Sequence, residues 1–143
     1  MKSLSQQQRL HQVNTEQLFE NYRSALGHAS AYTYGMRWKT VRTAEYLFRD
    51  KDRHGNGKSL GPRSTDTEAV LAAFTAGRAV AQERLRLIIE KVQEQARLNK
   101  ALRLNRVPRV VARVLRELDR AGLHDSFTVI GTQALYAYEA AGG

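Results

Sequence analysis

The sequence has no cysteine among its 143 residues, which excludes disulfide bonds and thiolate metal sites. It also has no apolar run approaching the roughly 18–20 residues that a membrane-spanning helix needs. The N-terminal sequence MKSLSQQQRLHQ lacks the apolar stretch of a signal peptide. From these absences we expect a cytoplasmic protein that has no membrane partner.

Proline is almost as rare, with two residues in the chain and none between positions 63 and 107. Ser64 or Thr65 is a candidate N-cap at the start of this interval, and Glu68, three residues after Thr65, matches a capping box. Side chains then follow a spacing of three or four residues at Leu71, Phe74, Ala81, Leu85, Ile88, Val92 and Asn99. The pattern predicts a helix from about 66 to 103, roughly 55 Å long. Because this length exceeds the core of a small domain, we expect an antiparallel helix pair, a homo-oligomer or contact with a further domain.

Acidic residues are outnumbered, with 14 Asp and Glu against 23 Lys and Arg. The formal net charge is +9 and the sequence pI is near 10.3. Such an excess favours a polyanionic partner, which could be nucleic acid, a nucleotide phosphate or an acidic protein surface. The alternative is that the basic residues only keep the surface soluble.

Basic residues recur every three or four positions from Arg97 onward, across the end of the long helix and into a second helix. Pro108 suits the first turn of this second helix, and Gly122 suits its end. The spacing places the basic side chains of each helix on one face. We predict that this face contacts RNA or DNA, or the phosphates of a nucleotide; a solvated helix face is the alternative. The predicted polyanion-binding residues are Arg103, Arg106, Arg109, Arg113, Arg116 and Arg120.

The remaining elements are short. Residues 1–13 are Gln-rich and are predicted to form a polar tail, followed by a short helix from Asn14 or Thr15 that ends at Gly27. Aromatic and β-branched residues then predict two or three strands near 36–42, 44–50 and 57–60. The predicted fold is therefore mainly α with a small β-hairpin element (α+β). The helical part covers residues 14–124, and the hairpin subdomain lies at about 36–60.

The segment from Asp50 to Gly61 resembles two binding loops without matching either. A P-loop needs a glycine where Asp52 stands, and a calcium loop needs a bidentate glutamate where Gly61 stands. A hairpin turn is the better interpretation. The histidines lack metal-ligand spacing, so we predict no metal site.

The C-terminal part has the pattern of a phosphate-binding fold. Residues 127–131 have strand character, a Gly-Thr turn follows, and the next residues favour a helix. A strand that leads through a tight turn into a helix N-terminus presents backbone N–H groups to an anion. We therefore expect 125–143 to be the beginning of an α/β domain.

Three stretches, KSLGPRSTDTE, ARLNKALRLNRVPRVVARVLRELDRAGL and FTVIGTQALYAYEAA, together resemble a family of bacterial nucleotidyltransferase-fold proteins with a helical N-terminal extension. The resemblance covers residues from about 35 to the end. In that superfamily a strand leads into a turn made of an apolar residue, a glycine and a small residue, which corresponds to Ile130-Gly131-Thr132. The resemblance implies that Gly131 and Thr132 bind a nucleoside triphosphate.

The resemblance also implies a second strand with acidic residues at i and i+2, which hold two divalent ions such as Mg²⁺. No such strand follows Thr132, and the acidic pairs at 50–52 and 66–68 precede the turn and lack an apolar middle residue. We therefore expect no catalytic residue here: the chain would be the N-terminal part of a longer nucleotidyltransferase-like protein, truncated before its metal ligands. Complete, that protein would use Mg²⁺ and a nucleoside triphosphate to modify an unknown acceptor. The alternative is a non-catalytic basic helical module that binds nucleic acid or a protein partner.

Overall fold

A computed structural model describes residues 4–104, 107–131 and 134. The described chain is mainly helical with one small antiparallel sheet, which confirms the predicted α+β class. The elements in chain order are α1 (Gln6–Ser30), β1 (Met36–Val41), β2 (Ala44–Asp50), β3 (Gly57–Pro62), α2 (Thr65–Ala101), α3 (Arg109–Arg120) and a 3₁₀ turn (His124–Ser126). None of the described helices is long and apolar enough to cross a membrane.

The chain divides into two compact units, and α1 and α2 contribute residues to both. One unit consists of Met1–Gln17 with Gln93–Gly143, and the other is Leu18–Val92. We call them the terminal unit and the central unit. The predicted boundary of a further domain at residue 125 stays a prediction.

Helix α1 begins at Gln6, much earlier than the sequence suggested. The prediction of a polar tail over residues 1–13 is therefore wrong from Gln6 onward. Ser5 and Gln8 form a capping box: the backbone N–H of Gln8 donates to Ser5 Oγ (3.2 Å), and that of Ser5 donates to Gln8 Oε1 (2.9 Å). The predicted stop at Gly27 is also wrong, because α1 continues to Ser30.

Helix α2 has nearly the predicted extent, and Ser64, one of its two predicted N-caps, caps it, but the capping box differs from the predicted one. The backbone N–H of Thr67 donates to Ser64 Oγ (3.3 Å), and that of Ser64 donates to Thr67 Oγ1 (2.9 Å). The capping box therefore joins Ser64 to Thr67 rather than Thr65 to Glu68, and the Glu68 carboxylate pairs with Arg63 instead (2.8 Å). Within each unit α2 runs antiparallel to α1. In the terminal unit Gln8 bonds to Leu102 and Thr15 to Asn99, and in the central unit His28 bonds to Arg84 and Tyr32 stacks on Phe74. A homo-oligomer and contact with a further domain stay predictions.

The covered positions of α2 alternate in steps of four and three residues, which is the heptad spacing of paired helices. In the central unit these positions are mostly apolar, and Tyr32, just after α1, stacks on Phe74 of α2 with ring centroids 5.2 Å apart. In the terminal unit they are polar, and Gln95 and Asn99 are both buried. The heptad positions of α2 are 67, 71, 74, 78, 81, 85, 88, 92, 95 and 99.

The sheet has the order β1-β2-β3 with both pairs antiparallel, which confirms the predicted hairpin subdomain. Leu47 on β2 is completely buried, and this defines the inner face of the sheet. Helix α2 covers that face. The Arg49 guanidinium lies 4.1 Å from the centre of the Phe74 ring, and a Cβ built on Gly61 would be in van der Waals contact with Thr67 Cγ2 at 3.6 Å. The opposite face, which bears Tyr46 and Phe48, is the outer face.

The predicted strand at 127–131 is wrong for the residues that the structure describes there. Residues 127–130 adopt no regular secondary structure, although the backbone of Phe127 is extended. A strand needs a neighbour to satisfy its backbone hydrogen bonds, and no described segment pairs with this one. The predicted helix from 132 falls mostly on residues outside the described ones.

Candidate nucleic-acid interface

Helix α3 gathers four of the six predicted polyanion-binding arginines on one face. Pro108 is its N-cap residue, one position before the first turn in which the sequence placed it, and Gly122, with φ of 69°, follows its end as expected. At about 100° per residue, the four arginines fall within a sector of roughly 60°. All four side chains are exposed. We call this set the α3 arginine surface; it consists of Arg109, Arg113, Arg116 and Arg120.

The four guanidinium groups differ in how far the protein already engages them. Arg120 donates to the Glu117 carboxylate at 2.8 Å, and Arg116 Nε donates to the Ala112 carbonyl of its own helix at 3.3 Å. Arg109 and Arg113 form no ion pair with any described residue. These two charges are therefore available to an external anion without loss of an internal partner.

Arg103, a further predicted arginine, lies outside α3. Arg103 follows the end of α2 in a left-handed conformation, with φ of 58°, and its backbone N–H donates to the Lys100 carbonyl (3.1 Å). Arg106 and Thr132 lie outside the described residues. Gly131 has φ of 75°, and the backbone N–H of Ala134 donates to its carbonyl at 3.0 Å, so the predicted turn at this glycine is present.

The face of α3 opposite its arginines is apolar and incompletely covered. Val110 is 65% exposed and Val114 is 52% exposed, while Val111 and Leu118 are half-buried. The half-buried side chains thus lie on one side of the helix, and the four exposed arginines lie on the other side. The charged surface is therefore the side that a large polyanion can reach.

The loop between β2 and β3 contains the aspartates that resembled a calcium loop. Asp52 Oδ1 accepts hydrogen bonds from the backbone N–H groups of His54 (2.8 Å) and Asn56 (3.1 Å). The Asn56 side-chain amide donates to Asp52 Oδ2 at 2.7 Å, and this bond is the main cause of the lowered pKa of Asp52. Asp50 pairs with Arg37 at 3.2 Å. Both carboxylates thus stabilise a hairpin, as the sequence indicated.

No metal site is evident in the described ranges 4–104 and 107–131, which contain no group of three or more potential metal-ligating side chains. The carboxylates of Glu83 and Glu90 both lie beside Arg86 on α2, where they form exposed ion pairs along the helix. Hydrogen bonding to Arg86 lowers the pKa of Glu83. These acids have a structural partner rather than an open coordination site.

A second basic surface, on the outer face of the sheet, was missed by the sequence analysis. Arg37 lies directly opposite Phe48 across β1 and β2, and Lys39 lies directly opposite Tyr46. The signal was present in the alternation of M-R-W-K in β1 and Y-L-F-R in β2. The alternation predicted strands, but sorting it by period two would also have placed cations and aromatic rings on one face.

Comparison of the chain with protein-family models, curated protein sequences and solved structures finds no match in any of the three. The resemblance to nucleotidyltransferase-fold proteins therefore stays a prediction.

Proposed function

We propose that this protein binds nucleic acid, and that the α3 arginine surface contacts the phosphate backbone. The observation that supports the proposal is the position of Arg109 and Arg113, which lie one helical turn apart on an exposed face without a carboxylate partner among the described residues. A guanidinium group binds phosphate through well-oriented N–H donors and keeps its charge at all physiological pH values. Arg116 and Arg120 extend the same surface.

The competing explanation is a solvated helix face whose charges serve only solubility. The two explanations differ in their salt dependence. Each phosphate contact releases condensed counterions, so the logarithm of the affinity falls linearly with the logarithm of the salt concentration. A contact contributes about 0.9 to this slope on duplex DNA and about 0.7 on single strands.

The test is a pair of matched charge reversals, Arg113→Glu and Lys91→Glu. Lys91 is an exposed α2 residue of the central unit, and both variants change the net charge equally. We expect R113E to weaken binding to a fluorescent oligonucleotide and to reduce the salt slope by roughly one contact. K91E should change both much less. Equal effects of the two variants would show that only net charge matters, and would contradict the proposal.

A second candidate function is nucleotide binding of the nucleotidyltransferase type, and the turn at Gly131 favours it. Gly131 has φ of 75°, a left-handed conformation that glycine adopts readily and that suits a tight turn. The described residues contain no group of three or more potential metal-ligating side chains that would hold magnesium. Nucleotidyl transfer to an unknown acceptor therefore stays a proposal for a longer protein, as does the cytoplasmic location.

Equilibrium binding of a fluorescent nucleoside triphosphate tests this candidate. Nothing lies within 4 Å of a Cβ built on Gly131, so a valine there fits sterically but strains the backbone. If the turn holds the triphosphate, Gly131→Val should weaken binding, whereas R113E should leave it unchanged. Binding that is unaffected by G131V would rule out this turn as the nucleotide site.

A further inference from the structure

The outer face of the sheet pairs each of two cations with an aromatic ring. Arg37 is opposite Phe48 and Lys39 is opposite Tyr46, and directly opposed residues of antiparallel strands project on the same side. Lys39 Nζ lies 5.3 Å from the centre of the Phe48 ring. We call these four residues the outer-face tetrad. They belong to the central unit, and α3 belongs to the terminal unit.

The charge around the tetrad is strongly positive because basic residues outnumber acidic ones there and each acidic residue already has a partner within the protein. Residues 36–62 contain seven Lys and Arg but three acids. Asp50 pairs with Arg37, and Asp52 is held by hydrogen bonds in its own loop. Glu45 projects on the inner side and pairs with Arg63 at 2.7 Å. Arg49 donates to the backbone carbonyls of Tyr34 and Ala31 rather than to a carboxylate. The other cations that lack a carboxylate partner among the described residues are Lys39, Arg42, Lys51, Arg53 and Lys58.

The turn between β1 and β2 adds a second observation. Arg42 occupies the first position of a two-residue hairpin turn with φ of 56°, a position where glycine is preferred. An arginine in the left-handed region strains the backbone, and such strain is concentrated at functional sites. The turn thus places a cation close in sequence to Lys39 of the tetrad, and a glycine at this position would avoid the backbone strain.

We propose that the outer face of the sheet binds single-stranded nucleic acid. Bases would stack on Tyr46 and Phe48, while Arg37, Lys39 and Arg42 contact the phosphates. The positive charge selects a polyanion, and the rings select one whose bases are unpaired, because duplex bases are already stacked on each other. Lys39 leaves the Phe48 ring for a phosphate when a base stacks there.

This site is independent of the α3 arginine surface and uses different chemistry. The α3 arginines bind phosphate and therefore accept either duplex or single strand. The outer-face tetrad requires exposed bases, so it discriminates between the two. The two surfaces are separated experimentally by substitutions that remove an aromatic ring without changing charge.

The test compares Phe48→Leu with Phe19→Leu in the full chain. Both remove an aromatic ring of the central unit, but Phe19 is an exposed residue of α1 and not of the sheet. Anisotropy titrations use a fluorescein-labelled 12-nucleotide oligothymidine and a duplex of the same length. We expect F48L to weaken single-strand binding roughly 5- to 150-fold and to change duplex binding little. F19L should change neither.

Ultraviolet crosslinking of the wild type to the same oligothymidine gives a readout that does not depend on a variant's folding. We expect crosslinks at Tyr46 or Phe48, and we expect them to persist in R113E. Crosslinks confined to α3, equal affinity of wild type for duplex and single strand, or competition by polyglutamate as effective as by oligothymidine would each overturn the inference. If R113E weakens binding and F48L does not, the proposed function stands and this inference falls.

Discussion

The side-chain amide of Asn99 on α2 donates a 2.8 Å hydrogen bond to the hydroxyl of Thr15 on α1. Gln95, one turn earlier, donates to Asn99 Oδ1 at 2.9 Å and to His11 Nδ1 at 3.1 Å. Gln95 and Asn99 are buried at positions where paired helices usually place apolar side chains. A polar layer at such positions fixes which residues face each other, at some expense in stability.

This layer leads to a first prediction, on coupling across the two helices. Asn99→Ala leaves the buried Gln95 amide without one acceptor and should lower the free energy of unfolding by about 1–3 kcal/mol. The same change at the exposed Asn21 should have an effect within about 0.5 kcal/mol. In urea denaturation, Asn99→Ala and Thr15→Val should be less than additive when combined. Strict additivity would show that the Thr15–Asn99 hydrogen bond contributes nothing measurable.

The same layer explains why the start of α1 escaped detection from sequence. Heptad positions 8, 11 and 15 are Gln, His and Thr, so an apolar periodicity is absent there. Their burial depends on hydrogen-bonding partners 84 to 94 residues away along the chain. In α2 the corresponding positions from Leu71 to Val92 are mostly apolar, and the helix was predicted nearly to its observed ends.

The candidate surfaces show the same division between local and tertiary information. The α3 arginine surface depends only on helical spacing, so a sequence pattern could predict it. The strand at 127–130 depends on a neighbouring strand, and five residues of strand character do not supply one. The outer-face tetrad depends on the register of β1 on β2, because Arg37 and Phe48 are eleven residues apart and only pairing makes them neighbours.

A second prediction concerns two glycines within helices. A Cβ added at Gly77 on α2 would collide with the hydroxyl group of Tyr32, whereas a Cβ at Gly27 on α1 would meet nothing within 4 Å. Gly27→Ala should therefore stabilise the protein by about 0.5–1 kcal/mol through helix propensity alone. Gly77→Ala should destabilise it by about 1–3 kcal/mol despite the same propensity gain.

Thermal or urea unfolding of both variants measures the difference, and Tyr32→Phe supplies the control. Removing the hydroxyl relieves the closest contact, so Gly77→Ala should be less destabilising in a Tyr32→Phe background. If Gly77→Ala were as stabilising as Gly27→Ala, Tyr32 would not pack against α2 in the manner described.

A third prediction follows from the lowered pKa of Asp52. Hydrogen bonds, first that from the Asn56 side chain, favour the ionised carboxylate in the folded loop. A carboxylate whose folded pKa lies below its unfolded value stabilises the fold at pH values above the unfolded pKa. That contribution is lost as the pH falls through the folded pKa. The order of the loop should therefore decline in the acidic range below the ordinary pKa of an aspartate.

Amide hydrogen exchange of His54 and Asn56 provides the measurement. Their N–H groups donate to Asp52, so their protection should fall as Asp52 becomes protonated. In Asp52→Ala the protection should already be low at neutral pH and should change little on acidification. Protection in the wild type that is constant down to pH values where Asp52 is neutral would contradict this role.

The last prediction separates stability from binding at Arg42. Because φ is 56° at the first position of the two-residue turn, Arg42→Gly relieves backbone strain. The free energy of unfolding should therefore rise, by up to about 0.5–1 kcal/mol, and should not fall. Arg42→Ala removes the same guanidinium but keeps the strain, so it should gain no stability.

Both variants should bind oligothymidine more weakly than the wild type and with a salt slope smaller by about 0.7, since each lacks one phosphate contact. Urea denaturation and a salt series on the same three proteins measure both quantities. A glycine variant that is more stable and binds with unchanged affinity and slope would show that the strained arginine has no part in nucleic-acid binding.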